Sequence, residues 1–209
     1  MWTDAGVEVA YCIVTDGEAG GQDLSVSRSE MANLRRDEQR AAAKELGVRS
    51  VRFLGYPDGC LEVSQALRRD ITRAIRTFRP QIVLAPSPER WWERMHASHP
   101  DHLAAGEAAT CAVYPDARNP FAHPELLDEG LQPHRVDELW LMASGVQNVA
   151  VEITGTFDRK ISALLCHRTQ IDDPAGTAER MRAAAVAAAQ DAGLSEGSLA
   201  ELFRRVVTG

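Results

Sequence analysis

The chain has 209 residues, of which 44% are hydrophobic and 25% are charged. This is the composition of a folded globular protein, and the length suits one domain spanning residues 1–209. The formal net charge of −7 argues against a nucleic-acid-binding protein, because such proteins usually present a basic face.

The four cysteines and the apolar segments indicate a cellular compartment. The cysteines are widely spaced and form no C-x-x-C pair, so we expect neither a disulfide framework nor a cysteine zinc site. No apolar run approaches the length of a membrane span, and the first residues lack the basic and apolar regions of a signal peptide. The sequence predicts a cytoplasmic protein without a membrane span.

Apolar segments rich in β-branched residues alternate with amphipathic patterns in the first half of the chain. A capping-box pattern, Ser27-x-x-Glu30, precedes the first amphipathic stretch, and Gly47 ends it. The predicted order is strand Val7–Val14, a helix from Ser27 to Leu46, strand Val51–Leu54, a helix over Leu67–Phe78 and strand Gln81–Ala85. This alternation predicts an α/β fold, a Rossmann-like and mostly parallel sheet flanked by helices.

The second half continues the pattern after a long loop. It predicts a helix over Asp101–Val113, strands Glu138–Ala143 and Val149–Ile153, a helix over Thr156–His167, and terminal helices over Thr177–Ala192 and Ser198–Val207.

Three of the six histidines lie in the heptapeptide His96-Ala-Ser-His99-Pro-Asp101-His102. Neutral imidazole is the commonest protein ligand for zinc, and a nearby carboxylate can join the ligands or orient a ring. Pro100 suits the first position of a helix, so these side chains lie at a helix N-terminus, which favours negative charge. The alternative is a His-rich loop that caps a helix through Ser98 or Asp101.

Three polar segments each follow a predicted strand: Thr15–Glu18, Tyr56–Gly59 and His96–His102. Because ligands of open parallel sheets bind beyond the carboxyl ends of the strands, we expect these segments to face a common pocket. For Asp16 and Asp58 the alternative is ordinary turn chemistry, since Asp-Gly is a strong turn signal by itself.

Several segments together resemble the LmbE-like or PIG-L deacetylase family, which includes N-acetylglucosaminyl-phosphatidylinositol de-N-acetylases and the mycothiol and bacillithiol pathway deacetylases. The similarity runs in order from about Val7 to Gln170. The segments are Thr15-Asp-Gly-Glu18, Arg35-x-x-Glu38 with Leu46-Gly47, Phe53-Leu-Gly-Tyr-Pro-Asp-Gly59, His99-Pro-Asp-His102 and Lys160 to His167-Arg-Thr-Gln170.

The resemblance implies a zinc-dependent hydrolase that removes an N-acetyl or acyl group from a small amino-sugar or glycoside substrate. It implies that His102 is a metal ligand, that Asp101 supports the histidine pair, and that His99 donates a hydrogen bond to the oxyanion. A metal-bound water would attack the amide, and an aspartate would take its proton.

The resemblance also implies substrate contacts. Arg35 and Asp58 match positions that hold sugar hydroxyls or the aglycone, and His167 matches a histidine near the site. For Arg35 the alternative is a solvated helix charge paired with Glu38. For His167 it is a complement to the helix dipole.

The chain departs from the family at its start. Family members begin with a strand followed by Ala-His-Pro-Asp-Asp-Glu, which supplies two metal ligands and the general base, and this chain has no such segment. We expect a chain truncated relative to the family, whose first sheet strand is missing. A single histidine would hold zinc weakly. His96 and His99 are disfavoured as replacements, because His99 would have to change its role.

A second hypothesis is therefore a catalytically impaired fragment or a non-enzymatic sugar-binding remnant of the same fold. A homo-oligomer is compatible with either hypothesis, because an unpaired sheet edge can associate. Trp91 and Trp92 could form a wall for a sugar ring or simply pack under the loop.

Overall fold

The computed structural model describes residues 1–21 and 25–209. The elements in chain order are β1 (Ala10–Thr15), α1 (Arg28–Glu45), β2 (Ser50–Tyr56), α2 (Gln65–Phe78), β3 (Ile82–Pro86), α3 (Pro100–Val113), α4 (Glu125–Asp128), β4 (Glu138–Met142), β5 (Val149–Glu152), α5 (Phe157–Leu164), α6 (Pro174–Asp191) and β6 (Ala200–Val207). Short 3-10 turns cover Trp92–Ala97, Asp116–Arg118, Thr154–Thr156 and Arg168–Gln170.

The chain forms two compact units. The first comprises Met1–Asp58 and Ala150–Leu202, and the second comprises Gly59–Val149 and Phe203–Gly209. No helix of the described residues combines the length and the apolar character that crossing a membrane requires.

In the first unit, β1 and β2 pair in parallel, with Ala10 opposite Ser50. Helix α1 begins where the sequence predicts, because the Ser27 hydroxyl accepts a hydrogen bond from the N–H of Glu30 at 3.2 Å. It ends at Glu45, and two residues later Gly47 has a φ of 74°, the left-handed conformation that glycine adopts without strain after a helix. A small apolar core of this unit contains Ile153, Phe157, Ala185 and Leu199.

In the second unit, helices α2 and α3 pack on each other, and α3 also packs on β3. The buried face of α2 carries Leu67, Ile71 and Ile75 at helical spacing, as the sequence predicts. Helix α3 is rich in alanine and contains a glycine, because it lies close to β3. A Cβ at Gly106 would collide with the backbone carbonyl of Pro86, so only glycine fits there.

The larger sheet has strand order β3-β4-β6-β5. Strands β3 and β4 are parallel, with Ile82 opposite Glu138, and β6 runs antiparallel to β4. The α/β fold with parallel strands and flanking helices is confirmed.

The predicted terminal helix over Ser198–Val207 is wrong, because Ala200–Val207 is strand β6. A short apolar run does not separate a strand from a buried helix by periodicity. Here the backbone of β6 is paired with β4, and the ring of Phe203 lies 5.7 Å from that of Trp140. The predicted helix over Thr156–His167 also ends earlier, at Leu164.

Candidate active site

The imidazole of His99, one of the three in the predicted cluster, is held in place by a hydrogen bond at the start of α3. His99 is the N-cap residue of the helix, and its Nδ1 atom accepts the N–H of Asp101 at 3.2 Å. Nδ1 must be unprotonated to accept this bond, so the proton of the neutral ring is on Nε2. His99 is exposed and therefore presents an Nε2–H donor at the positive end of a helix dipole. The alternative hypothesis, in which this loop caps the helix, is right about the role, but the capping residue is His99 and not Ser98 or Asp101.

Asp101 is buried, with 4% of its surface exposed. Its carboxylate accepts the backbone N–H of Gly59 at 2.7 Å and that of Leu61 at 3.2 Å. These bonds tie the first turn of α3 to the segment that precedes α2. The observed partners of Asp101 are thus backbone amides, and its support of the histidine pair stays a prediction.

His102 follows in the first turn of α3 and is exposed. Its ring lies 5.6 Å from that of His99, measured between centroids, with a 56° angle between the planes. His96 is also exposed, within the 3-10 turn Trp92–Ala97.

We tested whether the residues present could hold a catalytic zinc ion, which usually takes three protein ligands. Across residues 1–21 and 25–209, no group of three or more His, Cys, Asp or Glu side chains is arranged to hold a metal. His99 cannot bind through Nε2 in the tautomer that its N-cap bond imposes. Because no such group of three is formed among the described residues, these residues alone do not fit the metal.

In the first unit, the loops that follow β1 and β2 lie together. The Glu18 carboxylate accepts the backbone N–H of Asp58 at 3.0 Å, and the Asp58 carboxylate accepts the N–H of Ala19 at 3.2 Å. Two of the three polar segments that were expected to face a common pocket thus lie side by side, and the common pocket itself stays a prediction. Asp58 therefore has a role in the turn in addition to its predicted substrate contact.

Arg35 projects from α1 onto the loop after β1. Its guanidinium donates to the carbonyl of Gly17 and packs so closely on Gly20 that a Cβ there would lie 2.7 Å from Nη2. The Nε atom of Arg35 and the Oε2 atom of Glu18 are buried and have no hydrogen-bond partner among the described residues. A buried donor and a buried acceptor without partners are costly, and a hydroxyl-bearing ligand can satisfy both.

The alternative for Arg35 was a pairing with Glu38, but Glu38 has a different partner. Its two carboxylate oxygens accept the N–H and the hydroxyl of Thr169, at 2.7 and 2.8 Å. This contact fixes the 3-10 turn that follows His167. Burial lowers the pKa of His167; the negative charge of Glu38 opposes this effect, and the positive charge of Arg35 adds to it. The imidazole is thus held neutral, and its buried Nδ1 has no partner within the described part of the chain.

Asp16 is held in an ion pair with helix α1, which neither of its two alternatives predicted. Arg36 binds its carboxylate through both Nε and Nη2, with Nε at 2.9 Å from Oδ1. The sequence analysis gave no role to Glu18 and considered Glu38 only as a partner of Arg35, although both belong to the quoted motifs. A glutamate directly after an Asp-Gly turn, and one a helical turn beyond Arg35, were the available signals.

A comparison with protein families finds a match over the first half of the chain. Residues 1–113 match the family model described as PIG-L, GlcNAc-PI de-N-acetylase. Diacetylchitobiose deacetylase of Thermococcus kodakarensis is 33% identical over 175 residues, which are 82% of this chain and 62% of that protein. A probable N-acetyl-alpha-D-glucosaminyl L-malate deacetylase 2 of Bacillus cereus is 28% identical, over 82% of this chain and 74% of its own length.

Among solved structures, the N,N'-diacetylchitobiose deacetylase of Pyrococcus horikoshii, bound to its inhibitor MPG, superposes with a TM-score of 0.88. The two chains are 33% identical, and the match covers 99% of this chain and 75% of the other. The chain belongs to the PIG-L (LmbE-like) family.

Proposed function

We propose that the protein is an N-deacetylase that hydrolyses the acetamide of a small N-acetylated amino sugar or glycoside. The observation that carries this proposal is the N-cap bond of His99, because it leaves an Nε2–H donor exposed at a helix N-terminus. Such a donor is suited to the oxyanion that forms when water attacks an amide carbonyl. Family membership supports the same reaction, since the relatives named above are deacetylases by description.

We propose further that the substrate sugar is held by the cluster of Arg35, Asp58 and His167. Two of these side chains carry buried nitrogen atoms without partners in the described residues, Nε of Arg35 and Nδ1 of His167. Sugar hydroxyls both donate and accept hydrogen bonds, so they can satisfy the guanidinium as acceptors and the neutral imidazole as donors. The neighbouring Glu18 adds an acceptor, Oε2.

Zinc dependence is part of the proposal, with His102 as one ligand. Among the described residues, no further His, Cys, Asp or Glu side chains are grouped with His102 to complete a three-ligand site. Zinc content is measured by mass spectrometry, and amine release is measured from N-acetylglucosamine, N,N'-diacetylchitobiose and the L-malate glycoside of N-acetylglucosamine.

His102→Ala and His99→Ala separate the two imidazole roles. We expect His102→Ala to abolish zinc binding, and His99→Ala to keep zinc while lowering kcat about 100-fold, as for loss of one oxyanion donor. His134→Ala is a matched control, because its imidazole lies outside the heptapeptide and bonds the carbonyl of Pro80. Zinc retained at wild-type affinity after His102→Ala would reject the ligand, and full rate after His99→Ala would reject the donor.

A second candidate function is sugar binding without hydrolysis, for which the support is that residues 1–21 and 25–209 contain no group of three side chains placed to hold a metal. Under this candidate, calorimetric titration detects sugar binding by the protein, but the protein releases no amine. Amine release that depends on His99 excludes it.

A further inference from the structure

The residue before the N-cap of α3 has a buried side chain. Ser98 is 4% exposed, and its hydroxyl accepts the backbone N–H of Trp91 at 2.9 Å. The backbone carbonyl of Ser98 accepts a hydrogen bond from the guanidinium of Arg90 at 3.3 Å, and its N–H donates to the carbonyl of Met95 at 2.9 Å. Three hydrogen bonds therefore hold the residue that is covalently joined to His99.

Trp91, the partner of this hydroxyl, is itself held by its surroundings. Its half-buried indole lies against Gly145, where an added Cβ would be 3.4 Å from Cδ1. The guanidinium of Arg94 lies 4.9 Å from the centroid of an indole ring of Trp91. Gly145 belongs to the segment that follows β4, so the bond between Trp91 and Ser98 links that segment to the start of α3. All of these residues belong to the second unit.

The backbone at this junction determines the direction of the His99 ring. Ser98 has φ −111° and ψ 45°, whereas His99 has φ −59° and ψ 136°, and the helix begins at the next residue. The bond from the N–H of Asp101 to Nδ1 of His99 spans only two residues, so it depends on the torsion angles of the N-cap. Without the Ser98 hydroxyl, the N–H of Trp91 loses its partner, and the loop moves to satisfy that donor with water. A displaced Ser98 turns His99, and the Nδ1 bond that selects the tautomer weakens.

We propose that Ser98 is a positioning residue for His99, whose buried hydroxyl holds the N-cap in the geometry that keeps Nδ1 an acceptor and Nε2–H the donor. This inference rests on the proposed function, in which that donor stabilises the oxyanion. Ser98 touches no reacting atom in this role. Its loss therefore lowers kcat, because the Nε2–H donor is misdirected, and the KM for the substrate stays the same.

The test is the tautomer of His99, measured by nitrogen-15 NMR of the neutral imidazole in the wild type and in Ser98→Ala. We expect a single tautomer with the proton on Nε2 in the wild type, and a mixture of both tautomers in Ser98→Ala. In kinetic measurements of amine release from N-acetylglucosamine, we expect Ser98→Ala to lower kcat about tenfold, a partial loss of one oxyanion donor, with KM unchanged. Ser98→Thr retains the hydroxyl and should restore both the tautomer and kcat.

Two further variants complete the test. Ser87→Ala is the matched control, because Ser87 lies in the same loop, is 3% exposed, and accepts the N–H of Glu89 through its hydroxyl at 3.2 Å. We expect it to change neither the tautomer of His99 nor kcat. Arg90→Ala removes the second bond to Ser98 from an exposed side chain, so it tests the same link if Ser98→Ala does not fold. We expect a detectable second tautomer and a kcat about threefold lower.

A single Nε2–H tautomer retained in both Ser98→Ala and Arg90→Ala would overturn the proposal. A raised KM with kcat unchanged would also overturn it, since Ser98 would then act in substrate binding. The same holds for a second tautomer in Ser87→Ala, which would show a general loosening of the loop. Failure of the proposed function looks different: Ser98→Ala loses the single tautomer, but His99→Ala releases amine at the full rate. That result would reject the oxyanion role of His99 and support the positioning of its ring by Ser98.

Discussion

Asp101 accepts a 2.7 Å hydrogen bond from the backbone N–H of Gly59, 42 residues earlier in the chain. The same carboxylate also accepts the N–H of Leu61. A buried carboxylate with two backbone donors is a structural link in addition to any role in catalysis.

Asp101→Asn should destabilise the protein. An amide can turn only its oxygen toward a donor, so at least one of the two buried N–H groups loses its partner. We expect the free energy of unfolding to fall by about 1–3 kcal/mol, measured by urea denaturation. Asp137→Asn is the control, because its side chain is 60% exposed, and we expect a change within about 0.5 kcal/mol. Equal stability of Asp101→Asn and wild type would refute the link.

Gly106→Ala tests the close approach of α3 to β3. Alanine favours a helix by up to about 1 kcal/mol over glycine, but its Cβ would collide with the carbonyl of Pro86, which is backbone and cannot rotate away. We expect a net loss of about 1–3 kcal/mol and a lower Tm in thermal unfolding. Gly155→Ala, where no atom lies within 4 Å of the added Cβ, should leave the Tm nearly unchanged. A higher Tm for Gly106→Ala would contradict the packing.

The contact between Glu38 and Thr169 can be measured by a double-mutant cycle. Glu38→Gln removes one acceptor oxygen, and Thr169→Val removes the hydroxyl donor. We expect a coupling free energy of about 0.5–1.5 kcal/mol between the two changes, from urea denaturation of the four proteins. Asp37→Asn, next to Glu38 in an exposed pair with Arg40, should show no coupling to Thr169→Val. Additive effects of Glu38→Gln and Thr169→Val would deny the contact.

His167 should make stability depend on pH. Its pKa is lowered below the usual 6.5 mainly by burial, so the unfolded chain binds a proton at a higher pH than the folded chain does. This contribution to stability is present above pH 6.5 and is lost as the pH falls from there through the pKa of the folded state.

We therefore expect His167→Asn to flatten the decline of the unfolding free energy between about pH 7.5 and about pH 5. The measurement is a series of urea titrations across that range. His96→Asn replaces an exposed imidazole and should leave the slope as in the wild type. An unchanged slope in His167→Asn would mean that other groups cause the decline.

The elements with local signals were predictable from the sequence. Helices α1 and α2 begin at hydroxyl N-caps, Ser27 and Ser64, and α3 begins at a proline, so their limits follow from a few neighbouring residues. Strand β6 was missed because its partner β4 lies some 60 residues away, and local periodicity contains no trace of that pairing.

In the candidate site, too, the features with local sequence signals were predictable and the long-range contacts were not. The motif at the start of α3 predicted that His99 and Asp101 flank a helix start, and the structure has them there. The bonds from Asp101 to Gly59 and from Glu38 to Thr169 were not predictable, because each joins residues more than 40 positions apart and depends on the folded packing.

The contact between Gly106 and the Pro86 carbonyl has a consequence for how this protein could change during evolution. It locks the register of α3 on β3, so the two imidazoles at the head of the helix cannot shift along the strand without a steric clash. The side chains of the loop between β3 and α3 can then be exchanged while the helix keeps the two imidazoles at a constant position.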